Sequence, residues 1–167
     1  MDRYFQFFCF LIVSACGFTP VYSPDSRSTI VQSSISSITI DTIPDREGQL
    51  VRNHLIDRLL KDGYVASPQY RLVVSPIQES IVGIGIDKDD EASRAQLRES
   101  ASFRLIRLSD NSTVLDHTVR SVSSYNILSG QFTTFVTQQD AREQALRDLS
   151  DKIVTRLELY FTDEAQL

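Results

Sequence analysis

RAQLRESASFRLIRLSDNSTVLDHTVRSVSSYN, residues 94–126, is the stretch whose alternation decides the fold. The odd positions Ala95, Leu97, Ala101, Phe103 and Leu105 are apolar, while Arg94, Gln96, Arg98, Ser100, Ser102 and Arg104 occupy the even ones. A period of two is that of a strand with one face in the core and the other in water. Asp110, Asn111 and Ser112 then supply a turn, and Thr113 to Asn126 resumes the alternation with Leu115, His117 and Val119 on one side. A two-residue loop would set Leu115 against Ile106, away from the main apolar row. A three-residue loop over Asp110–Ser112 pairs Leu115 with Arg107, His117 with Leu105 and Val119 with Phe103, which brings both apolar rows to one face.

Downstream of this hairpin, Thr137 to Asp140 reads as a capping box that opens a helix. Leu146, Leu149, Ile153, Leu157 and Tyr160 then step by three and four residues. A helix ending near Phe161 is about 36 Å long, enough to cross a small sheet. Upstream, Tyr70 to Val74 and Ile77 to Ile86 are extended, with Pro76, Gly83 and Gly85 implying an edge, a bulge or a split into two strands, and Asp87 to Glu91 is a charged turn. Asp45 is placed to cap a helix to about Lys61, with Val51, Leu55, Ile56, Leu59 and Leu60 at helical spacing and Gly63 to stop it. Ile38 and Ile40 mark a first strand, closed by Asp41 and Pro44. The order strand, helix, strands, helix predicts an α+β fold over residues 38–167. It is a mostly antiparallel sheet of about four strands with two helices packed on one face, the other face staying polar.

The composition fits one globular domain: 167 residues, 41% hydrophobic and 23% charged. With 22 acidic against 17 basic residues the net charge is -5, which argues against a nucleic-acid partner. Catalysis is not expected. A serine hydrolase needs an activating base, and the two histidines, His54 and His117, lie far apart in sequence without a G-x-S-x-G elbow. Each reads as a packing or surface histidine. Gly83-x-Gly85 lacks the lysine and helix of a phosphate loop, and Asp87 to Glu91 does not match a calcium loop. Neither cysteine has zinc-ligand neighbours, so no metal or cofactor is implied.

Met1 to Arg3 carries one basic side chain, Tyr4 to Val13 is apolar apart from Gln6, and Ser14 and Ala15 follow. This is signal-peptide anatomy over residues 1–15, and a run of about 10 residues is too short to span a bilayer, which needs about 20. Val13-Ser14-Ala15-Cys16 resembles the lipobox of bacterial lipoproteins, which places cleavage before Cys16 and an acyl anchor on its thiol. The mature chain then keeps no free thiol. Gly17 stands where an Asp resembles an inner-membrane retention signal, which favours the outer membrane. Residues 16–37 read as the lipidated N-terminus and a serine-rich tether, extended from Ser23 to Ser37.

One cluster offers binding chemistry. Arg94, Arg98 and Arg104 form a basic row on the wet face of the strand, where guanidinium forks suit phosphates or carboxylates. Alternating charge is also the ordinary condition of a wet sheet face. Phe132 and Phe135, ahead of the last helix, read as a core plug rather than a binding wedge.

Cys16-Gly17-Phe18-Thr19-Pro20-Val21-Tyr22 is similar to the mature N-terminus of the LptE family of lipopolysaccharide-assembly lipoproteins. The element order above resembles that family as well. The resemblance implies a small α+β protein lodged inside the outer-membrane β-barrel LptD, assisting its assembly and the delivery of lipopolysaccharide to the outer leaflet. Only those seven residues match as sequence, so Arg94, Arg98 and Arg104 are read from the strand pattern and not from the family. The competing reading is an auxiliary lipoprotein of a lipid-transporting ABC system, which would share the lipobox and the fold class but carry an apolar groove between helix and sheet. For the anchor itself, Cys16→Ala is expected to leave an uncleaved or soluble product without incorporated labelled palmitate. Normal acylation of that variant would remove Cys16 as the attachment point.

Overall fold

The computed structural model describes residues 26–60, 65, 67–86, 92–127 and 130–165; the signal segment, Cys16 and the charged turn at 87–91 lie outside them. The elements in chain order are α1 (Ser26–Ser36), β1 (Ile38–Ile40), α2 (Asp45–Leu59), β2 (Tyr70–Val74), β3 (Gln78–Ile86), β4 (Ala92–Arg107), β5 (Thr113–Asn126) and α3 (Gln131–Glu164).

β4 is the axis of the sheet. β5 pairs with it antiparallel along nearly its whole length, from Arg94 opposite Asn126 to Leu105 opposite Leu115. The other side of β4 is shared: β3 covers its first part, with Gln78 opposite Ser100, and β2 its last part, with Val74 opposite Phe103. The break between β2 and β3 falls at Pro76, which has no N–H for a ladder. Ser75 seals it, its N–H donating to the Ser102 carbonyl at 2.8 Å and its Oγ accepting from the Ser102 N–H at 3.0 Å. β1 adds outside β2 in parallel, Ile38 opposite Tyr70, because α2 carries the chain back to the starting edge before β2 begins. The result is an α+β fold with a mixed sheet of five strands and three helices among the described residues, where four mostly antiparallel strands and two helices were expected.

The hairpin register differs from expectation by two positions. Leu115 faces Leu105, His117 faces Phe103 and Val119 faces Ala101. The apolar rows still share a face, since a shift of two preserves the alternation. The connection runs over Leu108–Ser112 and not three residues, because Asp110 Oδ1 accepts from the Ser112 N–H (3.1 Å) and hydroxyl (2.7 Å) while Asn111 adopts φ 55°. A bulge between Leu105 and Ile106 absorbs the odd residue, Val114, since Ile106 pairs with Thr113.

The helices start and end differently from their sequence signals. Where an extended tether was expected, residues 26–36 form α1, with Val31 and Ile35 one turn apart against the main core. Its serines bond within the helix, Ser36 Oγ donating to the Gln32 carbonyl at 2.8 Å. α2 begins with Asp45 as its first residue, at φ 65°, and not as its cap; it ends at Leu59, and Gly63 lies outside the described residues. α3 begins six residues before Thr137 and spans 34 residues, about 51 Å. Thr137 sits inside it, with Oγ1 donating to the Thr134 carbonyl at 2.9 Å. Phe132 and Phe135, on the added turn, are 79% and 62% exposed, so they plug no core.

α2 and α3 cover one face of the sheet, and Arg58 of α2 joins Asp151 of α3 at 2.7 Å. Between helices and sheet, buried apolar side chains form a main cluster built on Phe103, Leu105, Leu55, Leu146, Leu149, Ile153 and Leu157. A second, separate cluster consists of Ala95, Leu97, Tyr125, Ala141 and Ala145. The entry to α2 is tight: a Cβ on Gly48 would lie 2.6 Å from Ile43 Cγ2 and 3.0 Å from the Ile43 backbone carbon. Ile43 is almost fully buried, so Gly48→Ala is expected to lower stability in urea by about 1–3 kcal/mol through overpacking. An unchanged midpoint would show that the α2 entry yields freely.

Candidate functional site

The helix-free face of the sheet is assembled by alternation. β4 places Arg94, Gln96, Arg98, Ser100, Ser102 and Arg104 there, opposite Asn126, Ser124, Val122, Arg120, Thr118 and Asp116 of β5. β2 adds Arg71 beside Ile106, and β3 adds Ser80 and Val82. Arg94, Arg98 and Arg104 are all exposed on this one face, as their spacing predicts. Arg94 Nε donates to Asn126 Oδ1 at 3.3 Å and Arg98 Nε to Gln96 Oε1 at 2.8 Å. Ser102 and Thr118 link hydroxyls at 2.8 Å.

The charge on this face is one-sided. Arg71, Arg94, Arg98, Arg104 and Arg120 stand against one carboxylate, Asp116, and none of the five makes an ion pair with a described residue. On the helix-bearing side and the ends four arginines are engaged: Arg58 with Asp151, Arg107 with Glu164, Arg142 with Glu79 and Arg147 with Glu143. The acidic excess of the chain therefore sits elsewhere, and the sheet face is left basic.

The covered face holds a feature that the alternation conceals. Glu99 falls in the odd row of β4, and its side chain points into the interior, 1% exposed. Neither carboxyl oxygen has a hydrogen-bond donor, and the hydroxyl of Ser121, its cross-strand partner, is likewise buried without one. On the other side of β4 the partner is Glu79 of β3. Arg142 of α3 clasps Glu79 with two bonds, Nε to Oε2 at 2.5 Å and an Nη2 donation to Oε1 at 2.9 Å, and gives a third N–H to Gln139 at 2.9 Å. Asp45, Arg46 and Glu47 of α2 and Ile77 complete the lining of a cavity of about 410 Å³ around these groups. Burial, reinforced by the carboxyl of Glu79, raises Glu99 to about 8, whereas the Arg142 hydrogen bonds hold Glu79 below the usual carboxylate range. Two carboxyls this close cannot both ionise cheaply.

His117 packs edge-on against Phe103, ring centres 6.3 Å apart. No group of three or more metal-ligating side chains is assembled among the described residues. Nor is any described helix long and apolar enough to cross a membrane.

A helix-backed sheet with a bare basic face, lacking an assembled metal centre among the described residues, has the form of a binding or assembly module. The family model described as lipopolysaccharide-assembly, LptE, matches residues 33–157, and the chain belongs to that family. It is thus, in general terms, a lipopolysaccharide-assembly lipoprotein. Similar solved structures include a lipoprotein from Caulobacter crescentus, 25% identical, covering 81% of this chain and 97% of its own, with a TM-score of 0.60. The rare lipoprotein B of Shewanella oneidensis is 8% identical (72% and 92% covered, TM-score 0.57), and a minor lipoprotein of Acinetobacter baumannii 14% identical (73% and 90% covered, TM-score 0.58). These two likenesses are of fold. No curated protein matches the chain in sequence.

Arg142 ties α3 to β3 through its bonds to Glu79, so Arg142→Met is expected to lower unfolding stability at pH 7 by about 1.5–3 kcal/mol. Chemical denaturation checks this, and a loss below about 0.5 kcal/mol would mean that water replaces the clasp.

Proposed function

We propose that this protein is an outer-membrane lipoprotein, anchored at the periplasmic side through acyl chains on Cys16. In this reading it plugs and helps assemble an LptD-like β-barrel and assists delivery of lipopolysaccharide to the outer leaflet. The observation that carries the reading is the basic, unpaired sheet face. Its exposed guanidiniums suit the phosphates of the lipid headgroup or acidic side chains in a polar barrel lumen. Arg94, Arg98 and Arg104 are the proposed contacts. The net negative charge of the chain is no obstacle, since attraction is set by the local face at a screening distance of about 8 Å. The process needs no covalent chemistry from this chain.

The auxiliary-lipoprotein alternative calls for an apolar groove between helix and sheet. Among the described residues that interface is filled by Phe103, Leu146, Leu149 and Leu157, all nearly or fully buried.

The decisive experiment is a mild-detergent pull-down of the tagged, natively lipidated protein. A large outer-membrane β-barrel at one-to-one stoichiometry is expected; inner-membrane transporter subunits, or no partner, would overturn the assignment. In the same assay the triple variant Arg94→Ser/Arg98→Ser/Arg104→Ser is expected to weaken capture of the barrel or of lipopolysaccharide by about tenfold or more, since 1.4 kcal/mol suffices for that factor. Undiminished capture of both would remove these arginines from the contact.

A further inference from the structure

The layer that contains Glu99 lies between the two apolar clusters. Along β4 the order is Ala95 and Leu97, then Glu99, then Ala101, Phe103 and Leu105. β5 repeats it in reverse, with Val119 in the main cluster, Ser121 in the polar layer and Tyr125 in the second cluster. On α3, Ala141 and Ala145 belong to the second cluster and Leu146 and Leu149 to the main one, with Arg142 facing the layer between. The interior is thus cut across by a seam of Glu79, Glu99, Ser121 and Arg142. What lies beyond it is thin: three of its five buried residues are alanines, and Ile81 of β3, opposite Leu97, is 43% exposed.

We propose that Glu79 and Glu99 share one proton across this seam, and that releasing it uncouples the distal unit, the outer ends of β3, β4 and β5 with the first turns of α3, from the main body. With the proton in place, the Glu99 hydroxyl donates to Glu79, and the Glu79 carboxylate stays matched to Arg142. Without it, two carboxylates face one guanidinium, three of whose five N–H groups go to Glu79 and Gln139. The other charged groups lining the cavity are Asp45, Arg46 and Glu47 at the start of α2, and they add two negative charges against one positive. Ionising both glutamates leaves four carboxylates around two guanidiniums. The main body keeps its larger apolar cluster and stays closed, so the response is local opening. The proposal is independent of the barrel partner and of the anion that the sheet face takes.

Glu99 holds its proton more tightly folded than unfolded, so its linkage makes the closed state less stable as pH rises from the ordinary carboxylate range through about 8. Glu79 has the opposite sign and loses its contribution only in acid. Below a midpoint near 8 the opened unit releases the proton that the closed unit keeps, so the opening constant rises about tenfold per pH unit up to that midpoint and levels off above it.

The test is amide hydrogen exchange on the full-length lipidated protein in detergent at pH 6 and pH 9, corrected for intrinsic rates. Distal amides, those of Leu97, Tyr125 and Ala145, are expected to lose about 100-fold protection between pH 6 and pH 9, against little change at Phe103 and Leu149. In Glu99→Gln, where an amide that cannot ionise still donates to Glu79, the pH dependence should vanish. Equal pH response in both units, or the same distal response in the variant, would overturn the proposal. Should Glu99→Gln fail to fold, carbon NMR of the labelled glutamates of the natural protein decides. A Glu99 carboxyl titrating near 4.5 overturns the shared proton, and one titrating several units higher, with distal amide shifts moving in step, supports it.

Discussion

Everything in this fold hangs on β4. It serves as pairing partner for β2 and β3 end to end on one side and for β5 along nearly its full length on the other. The alternation of β4, broken at Glu99 in the odd row and Ile106 in the even one, therefore fixes which side of the sheet is apolar for the neighbouring strands, because cross-strand partners share a face. The helices have no choice of side. α2 and α3 bury their apolar stripes against the odd row, which commits the even row and its arginines to the exterior. The basic face and the core are two consequences of one pattern.

The charge distribution follows from the same division. Four arginines that face a helix or a loop find acidic partners: Arg58, Arg107, Arg142 and Arg147. Arginines on the open face have no element above them to supply one. A chain that is acidic in total can thus present a basic surface, and membership of a lipopolysaccharide-assembly family is consistent with that polarity. Exposed ion pairs contribute little to stability, so leaving the exposed guanidiniums of Arg94, Arg98, Arg104 and Arg120 unpaired costs the fold almost nothing.

Glu99 is the exception to the alternation. A carboxyl in a row of Ala, Leu and Phe loses its hydration, and the fold accommodates it by setting Glu79 and Arg142 beside it. That arrangement divides the interior, since neither apolar cluster can pack through a polar layer. It also confines the titration to one junction between β3, β4 and α3.

Alternation and helical spacing, read from the residues alone, determined the fold class, the β5 boundaries and the exposure of Arg94, Arg98 and Arg104, and marked Pro76 as an edge, a bulge or a split. Each depends on local periodicity or on a missing N–H. A polar residue interrupting the apolar row was visible at Glu99, but its meaning required Glu79, twenty residues away, to lie opposite and Arg142 to arrive from the last helix. Tertiary structure also decided the parallel β1, the two-position register shift and the helicity of residues 26–36. These depend on which turn Asp110 and Asn111 close, on where α2 returns the chain, and on the surface offered to Val31 and Ile35. Such energies arise between segments distant in sequence, and a periodic pattern cannot carry them.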